Sequence, residues 1–491
     1  MKSLLKIVKT ISTVYVVIFI MTISQVYGAV LRVPLRILPE KVDPQKILDI
    51  STATVSGQIF ETLYDFSSEH TLRPVLATSH SITNNGKTID IRIREDKRFS
   101  DGTTLHAYHV VNMLNRVAQV LKKEIAWAMG DIEGFDDFIS GKDKTIRGVS
   151  LINKSSIRIK FAKPFSHFLQ TLSSSYFAVG LEKNGKWIGT GDYHIDTISA
   201  DKKILILKSI KKLPTDAPSE INFIKSEGPE KDIQLLNEQK IDLLSTDDLK
   251  VVSSSQFKQI KQDYLQAIIM VINHKNHNFL NSENRCNLVR SLRASAVDAG
   301  HNWGTMDLRL PFSKNLFATN DVAKKQQKNT LKIAIVSSES AGLFWNSFND
   351  KMLHNLLGYG YDAKIESHPI STLIKKIKNN DFNVAIYGYL LDYPSPDALF
   401  YPLLFSNQQY NFSGFSNKDI DQLLIKSRSV SNKSEQSRYY QQLMQILSKD
   451  CSIAFLGGQK INIYISRKWT MPKASALGFH RVKLSELRST K

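Results

Sequence analysis

Residues 58–110 read QIFETLYDFSSEHTLRPVLATSHSITNNGKTIDIRIREDKRFSDGTTLHAYHV. Ile89, Ile91 and Ile93 alternate with Asp90, Arg92 and Arg94, the period of a strand with one buried face. Asn84-Asn85-Gly86 before it and Asp101-Gly102 after it are turn sequences that tolerate positive φ. Leu105, Val110, Leu114, Val117 and Leu121 then recur at helical spacing, with Lys122 and Lys123 at the expected helix end. The stretch therefore predicts a helix, a loop, an antiparallel strand pair and a second helix, which is an α+β unit. A chain that places this unit near its start must build further layers from the residues C-terminal to it.

At 491 residues the chain is too long for one core and suits two or three domains. Hydrophobic residues make up 42% and charged residues 23%, ordinary for a globular protein. A formal charge of +19 raises nucleic acid or an acidic membrane as a partner. The basic residues are spread along the chain, with no basic run interleaved with aromatics, so a solvated basic surface and no nucleic acid are expected. Lys2, Lys6 and Lys9 precede an apolar run at 11–23 that is too short to span a bilayer comfortably, and Val26-Tyr27-Gly28 fits a cleavage site. Residues 1–28 thus read as a cleavable signal peptide, cut near Gly28, and the expected compartment is the periplasm. No Cys follows the apolar run, so no lipid anchor is expected. Cys286 and Cys451 are the two cysteines. An oxidising compartment permits a bridge between them, and two buried thiols are the alternative.

The fixed offsets within 58–110 resemble the extracellular solute-binding proteins of family 5, the peptide, opine and nickel class serving ABC importers. Gln58, Ile59, Phe60, Glu61 and Leu63 follow that family's Q-I-F-E-G-L, and Pro74, Leu76, Ala77 and Ser79 its P-x-L-A-x-S. Gly86, Lys87 and Arg94 fall on D-G-K-x-Y-x-F-x-L-R, and Phe99, Asp101, Gly102, Ala107 and Val110 on F-x-D-G-x-x-x-x-A-x-D-V. His109 stands where the family has Asp, which would remove a local ion pair. Gly189-Thr190-Gly191-Asp192-Tyr193 resembles a second motif, G-T-G-P-Y, with Asp192 for Pro. As physics it is a glycine-bracketed crossing, not a phosphate loop.

Elsewhere the coarse reading is regular. Val30, Arg32 and Pro34-Leu35 open a strand, and Val42-Asp43-Pro44 a turn. Ile157, Ile159 and Phe161 alternate as a strand, and Pro164 starts an amphipathic helix using Phe165, Phe168, Leu169 and Leu172. Short strands at 204–207, 221–224 and 241–244 surround a helix at 231–238, and a longer strand covers 265–273. His274 and His277 lie in an exposed hinge loop with no partner ligands for a metal. Arg290, Ala296, Val297 and Asp298 sit on the next helix, and 300–329 reads as a trimmed loop. From 331 the order is strand, helix at 340–357, strand, helix at 370–378, strand at 382–388, which implies a parallel sheet. Helices at 419–426 and 434–447 follow, then apolar strands at 453–456 and 461–465.

Tyr387-Gly388-Tyr389-Leu390-Leu391-Asp392-Tyr393-Pro394-Ser395-Pro396-Asp397 leaves the carboxyl end of a parallel strand, where open α/β sheets place ligands. It resembles the family's G-W-x-x-D-Y-P-D-P. The resemblance implies that Asp392 pairs with the α-ammonium group of a peptide, with a turn carboxylate as the bland alternative. It also implies that Tyr389, in the Trp position, walls a pocket. Gly388, Leu390 and Leu391 complete the expected ligand contacts. Ser395 replaces the second Asp, and Tyr393 and the prolines shape the loop. Residues 411–417 resemble N-x-x-G-Y-S-N, with Asp421 in the following helix, and are read as structural. No H-E-x-x-H, G-x-S-x-G or Walker pattern is present, so no enzyme and no cofactor are expected.

The implied fold is α/β, a two-lobed class II periplasmic-binding-protein fold with an extra subdomain on lobe I and a hinge of two crossings. Lobe I takes 29–55, 162–268 and 462–491, the extra subdomain 56–161, and lobe II 269–461. The implied role is capture of di- or oligopeptides by a monomer that delivers them to an inner-membrane ABC permease docking on both lobes. The same fold could instead hold haem, a nickel chelate, an opine or glutathione, or serve as an envelope chaperone or scaffold.

Overall fold

A computed structural model of the chain describes residues 29–47, 49–246, 256–273, 275–276, 279–298, 329–336, 353–472 and 478–490. The signal peptide at 1–28, His274, His277 and the 300–328 loop lie outside these residues, as does most of the helix expected at 340–357. The chain opens with β1 (Ala29–Leu35), whose Leu31, Val33 and Leu35 point into a core while Pro34 is tolerated because the strand is at a sheet edge. Helix α1 (Ile50–Ile59) follows, capped by Asp49, whose side chain accepts from the Thr52 amide.

The opening block folds as its alternation requires. β2 (Ala77–Thr83) pairs antiparallel with β3 (Thr88–Ile93), and Ile89, Ile91 and Ile93 are all buried. Asn84 and Asn85 take positive φ in the turn between them. Helix α2 (Ala107–Leu121) packs Val110, Met113, Leu114 and Val117 onto this sheet. Leu105 is buried but precedes the helix, because His106 is its N-cap. The ion pair expected to be missing at His109 is replaced by a capping contact: its Nδ1 accepts from the His106 amide at 3.0 Å. Burial lowers the His109 pKa, which favours the neutral ring that this acceptance needs. β4 (Val149–Asn153) and β5 (Ser156–Lys160) complete a sheet of order β2-β3-β5-β4.

Pro164 does not start a long helix. Only Phe168–Thr171 is helical, although Phe165, Phe168, Leu169 and Leu172 are all buried. β6 (Tyr193–Ile198), β7 (Ile204–Ser209) and β8 (Pro218–Lys225) join β1 in a sheet of order β1-β8-β7-β6, with α3 (Pro229–Asn237) leading to β9 (Leu243–Thr246). The glycines at 189 and 191 are needed for close approach: a Cβ on either would overlap the carbonyl oxygen of Ile59 at the end of α1. Asp192, in place of proline, is fixed by Ser485 Oγ at 2.7 Å and Lys211 Nζ at 3.0 Å.

β10 (Phe257–Ile272) is far longer than the 265–273 expected. Helix α4 (Ser282–Asp298) precedes β11 (Asn329–Val336), and β12 (Tyr361–His368), α5 (Ile370–Lys378) and β13 (Val384–Leu390) follow. Both β12 and β13 run parallel to β11. Helices α6 (Pro396–Leu404), α7 (Lys418–Ser429) and α8 (Lys433–Asp450) then lead to β14 (Ile453–Ser466). The two apolar stretches expected at 453–456 and 461–465 are therefore one strand. The six-stranded sheet runs β9-β14-β10-β13-β11-β12. β10 and β14 pair antiparallel from Phe257↔Ser466 to Val271↔Ile453. Ile463 and Ile465 of β14 pack with Leu31, Val33 and Val55, whereas Ile268 and Met270 of β10 pack with Leu331 and Ile333. The pair of strands thus passes from one core to another. Cys286 on α4 and Cys451 after α8 are bridged, which decides between the two alternatives for them.

Candidate functional site

β13 ends at Leu390, where the chain leaves the sheet and turns toward α6. Ser395 caps α6, its Oγ accepting from the Asp397 amide at 3.3 Å, so the residue standing for the second Asp serves the helix. Asp397 and Tyr393 are buried behind the loop: Tyr393 donates to Asp397 Oδ2 at 2.6 Å, and Arg428 binds the same carboxylate at 2.7 and 2.8 Å. Burial pushes the Asp397 carboxyl up, but the charges of Arg428 and His167 together with the hydrogen bonds from Arg428 and Tyr393 outweigh it and hold it below the ordinary value. This anchored back wall fixes the direction in which residues 388–392 face.

They face a cavity of about 250 Å³. Gly388, Tyr389, Leu390, Leu391 and Asp392 form one side of it. Ile47, Asp49, Ile50 and Ala53 at the start of α1 form another, and Ser175, Tyr176, Tyr410, His480 and Arg481 close it. All five sequence-predicted site residues are therefore brought together. Gly388 is where the Gln266 side chain crosses β13, so that a Cβ would collide with the amide.

Asp392 is half-buried, and its Oδ1 accepts from Ser174 Oγ at 2.6 Å. No donor among the described residues reaches its Oδ2. Burial raises its pKa, opposed by the Ser174 hydrogen bond and the Arg481 charge. A carboxylate that is desolvated and only partly satisfied gains from a cationic ligand group. The Tyr389 and Tyr410 rings meet edge to face at 6.4 Å beside it. Burial pushes Tyr410 up to about 12 and raises Tyr389 well above its ordinary value, so both hydroxyls stay protonated.

Sequence reasoning misses Ser174, Tyr176, Tyr410, His480 and Arg481. They come from irregular segments with no periodic pattern, and only folding brings them to residues 388–392. The Arg481 Nη2 donates to the Asp392 carbonyl at 3.3 Å. Burial and the neighbouring Arg481 depress His480 to about 3, so it is neutral at physiological pH. Asp49 is occupied by Thr52, which donates its amide to one oxygen and its hydroxyl to the other. Among the described residues no group of three His, Cys, Asp or Glu could hold a metal ion, and no helix is long and apolar enough to cross a membrane.

Known proteins resemble this chain at two levels. The model for bacterial extracellular solute-binding proteins, family 5 Middle, matches residues 71–286. The glutathione-binding protein GsiB of Escherichia coli (strain K12) is 27% identical over 165 residues. That match covers 32% of this chain and 30% of GsiB, so it spans less than a third of the curated relative. Across the fold, Haemophilus influenzae OppA in complex with RPPGFSPFR aligns with a TM-score of 0.75 at 17% identity, over 95% of this chain and 99% of OppA. DppA of Helicobacter pylori in complex with peptide STSA aligns with a TM-score of 0.76 at 18% identity, over 94% and 98% of the two chains. Residues 71–286 are similar to the bacterial extracellular solute-binding proteins, family 5, and the chain as a whole has the α/β fold of OppA and DppA.

Proposed function

We propose that this chain is the solute-binding component of an ABC importer, exported to the periplasm by residues 1–28. It captures a short peptide, or a peptide-like compound with a free amino group, in the cavity beside Asp392. The observation that carries the reading is Asp392 itself: a half-buried carboxylate with one oxygen held by Ser174 and the other without a donor among the described residues. Tyr389, Gly388, Leu390 and Leu391 wall the ligand around that charge. The division into lobe I (29–55, 162–268, 462–491), an extra subdomain (56–161) and lobe II (269–461) gives the cavity a side from each lobe. Closure would turn about β10 and β14, and the monomer would present both lobes to an inner-membrane permease.

The peptides bound by OppA and DppA support this reading at the level of fold. Calorimetry on purified mature protein tests it. Free short peptides should bind, and N-acetylated ones should bind roughly 30-fold or more weakly, because a neutral amide leaves the buried carboxylate without a cation. Asp392→Asn should lose most of that discrimination. Equal binding of free and acetylated peptides by both proteins would remove Asp392 from the site and bring forward a non-peptide ligand.

A further inference from the structure

The loop that carries Asp392 has two sides, and only one of them faces the cavity. On the other side the chain of lobe II meets Trp127 of the extra subdomain and residues 165–166 of lobe I. The Trp127 and Tyr393 rings stack with centroids 6.2 Å apart. Arg428 on α7 donates from Nη1 to the Trp127 carbonyl at 2.8 Å and lies 4.3 Å over the Phe165 ring. The Ser166 amide donates to the Arg428 carbonyl at 2.9 Å, and Gln436 on α8 donates to the Ser166 hydroxyl at 3.2 Å. Trp127, Phe165, Tyr393 and Arg428 are each at most 3% exposed.

A rotation about β10 and β14 divides the bonds of Arg428 into two sets. Its pair with Asp397 lies wholly within lobe II and survives the motion. Its contacts with Trp127, Phe165 and Ser166 cross between the lobes and cannot survive it. Separation would wet two aromatic faces and release three hydrogen bonds together, so this contact forms and breaks as a unit. None of its residues lines the cavity beside Asp392. A ligand there neither supplies these bonds nor competes for them, and they favour joined lobes whatever the cavity holds. Tyr393 directly follows Asp392 in the chain, so the same contact also fixes where the carboxylate stands.

We propose that Trp127, Phe165 and Ser166 on one side, with Tyr393, Arg428 and Gln436 on the other, form an interlobe latch. It holds the lobes together without a ligand and, through Tyr393, sets Asp392 in place. The inference rests on the division into lobes given above and is independent of what the cavity binds.

Solution scattering and hydrogen exchange on the mature protein test it, after bound solute has been stripped and its removal checked by native mass. Two variants open the latch by different routes. Arg428→Met combined with Asp397→Asn removes the cation without stranding a buried carboxylate. Trp127→Leu removes the ring and leaves every charge in place. Val117→Ala, in the core of the opening block, controls for general loosening. Both latch variants should be folded with a larger radius of gyration than the wild type. Their Ser166 amide should exchange roughly ten-fold faster, the scale of one hydrogen bond's net contribution. Val117→Ala should keep the wild-type radius. A folded latch variant as compact as the wild type overturns the inference, even where Ser166 exchange quickens, because the contact then props the loop only locally. So does expansion of Val117→Ala to the same extent, or a Ser166 amide in the wild type that exchanges as fast as an exposed loop. Should the double variant fail to fold, Trp127→Leu and the wild-type exchange rate decide. Failure of the latch leaves the acetylated-peptide comparison standing, and failure of that comparison leaves the latch.

Discussion

At the residue scale the proposed contact with an ammonium group turns on the protonation of Asp392. Burial raises its pKa above the ordinary 3.8, so acidification neutralises it sooner than an exposed aspartate. An ammonium ligand needs the charged form. Affinity should therefore fall as pH drops through a window lying above 3.8, and Asp392→Asn should show no such fall. The sign for folding is opposite at this group. The folded chain takes up the proton before the unfolded chain does, so Asp392 alone favours the fold as pH drops. His480 works the other way. Its pKa is depressed from 6.5 to about 3, so its contribution is full above 6.5 and is lost as pH falls through that interval. Calorimetric affinity with circular dichroism at each pH separates the two. A loss of affinity in step with a loss of native signal would contradict the role given to Asp392.

At the element scale the most consequential contact is the one behind the loop. Arg428 on α7 is buried, binds Asp397 with two hydrogen bonds, donates to the Trp127 carbonyl at 2.8 Å and lies over the Tyr401 and Phe165 rings. It therefore joins α6 and α7 to a segment of the opening block. Replacing one partner of a buried pair leaves the other uncompensated, and Arg428→Met should lower stability by about 3–5 kcal/mol in urea unfolding. A change below about 1 kcal/mol would mean that the pair is solvated. Elements of this kind are unevenly legible in sequence. β3 and α2 follow their periodic patterns because each has one buried face. Helix α6 escapes a sequence reading because all nine of its residues are buried, so no polar face marks its period. β14 looks like two strands in sequence because Gly457-Gly458-Gln459-Lys460 breaks the apolar run, although strand pairing with β10 continues through it.

At the scale of the whole molecule, two long strands link cores that the sequence shows only as separate apolar runs. The core of the opening block, with Ile89 and Val117, is also continuous with the layer under α6, α7 and α8, with Phe400, Leu424 and Leu443. The five contiguous residues from Gly388 to Asp392 are legible because they share one motif at the end of one strand. Tyr410 and Arg481 are far from them in sequence, and only the closing of the chain places them at the same cavity, with Ser174 buried against Asp392. On the proposed function this cavity carries a small amino-bearing solute that Asp392 retains. Native mass spectrometry of the protein purified without unfolding from its own envelope tests that most directly. The expected result is a discrete added mass on the wild-type protein, released on acidification and absent from folded Asp392→Asn. A wild-type spectrum with no added mass, or the same added mass on Asp392→Asn, would contradict it.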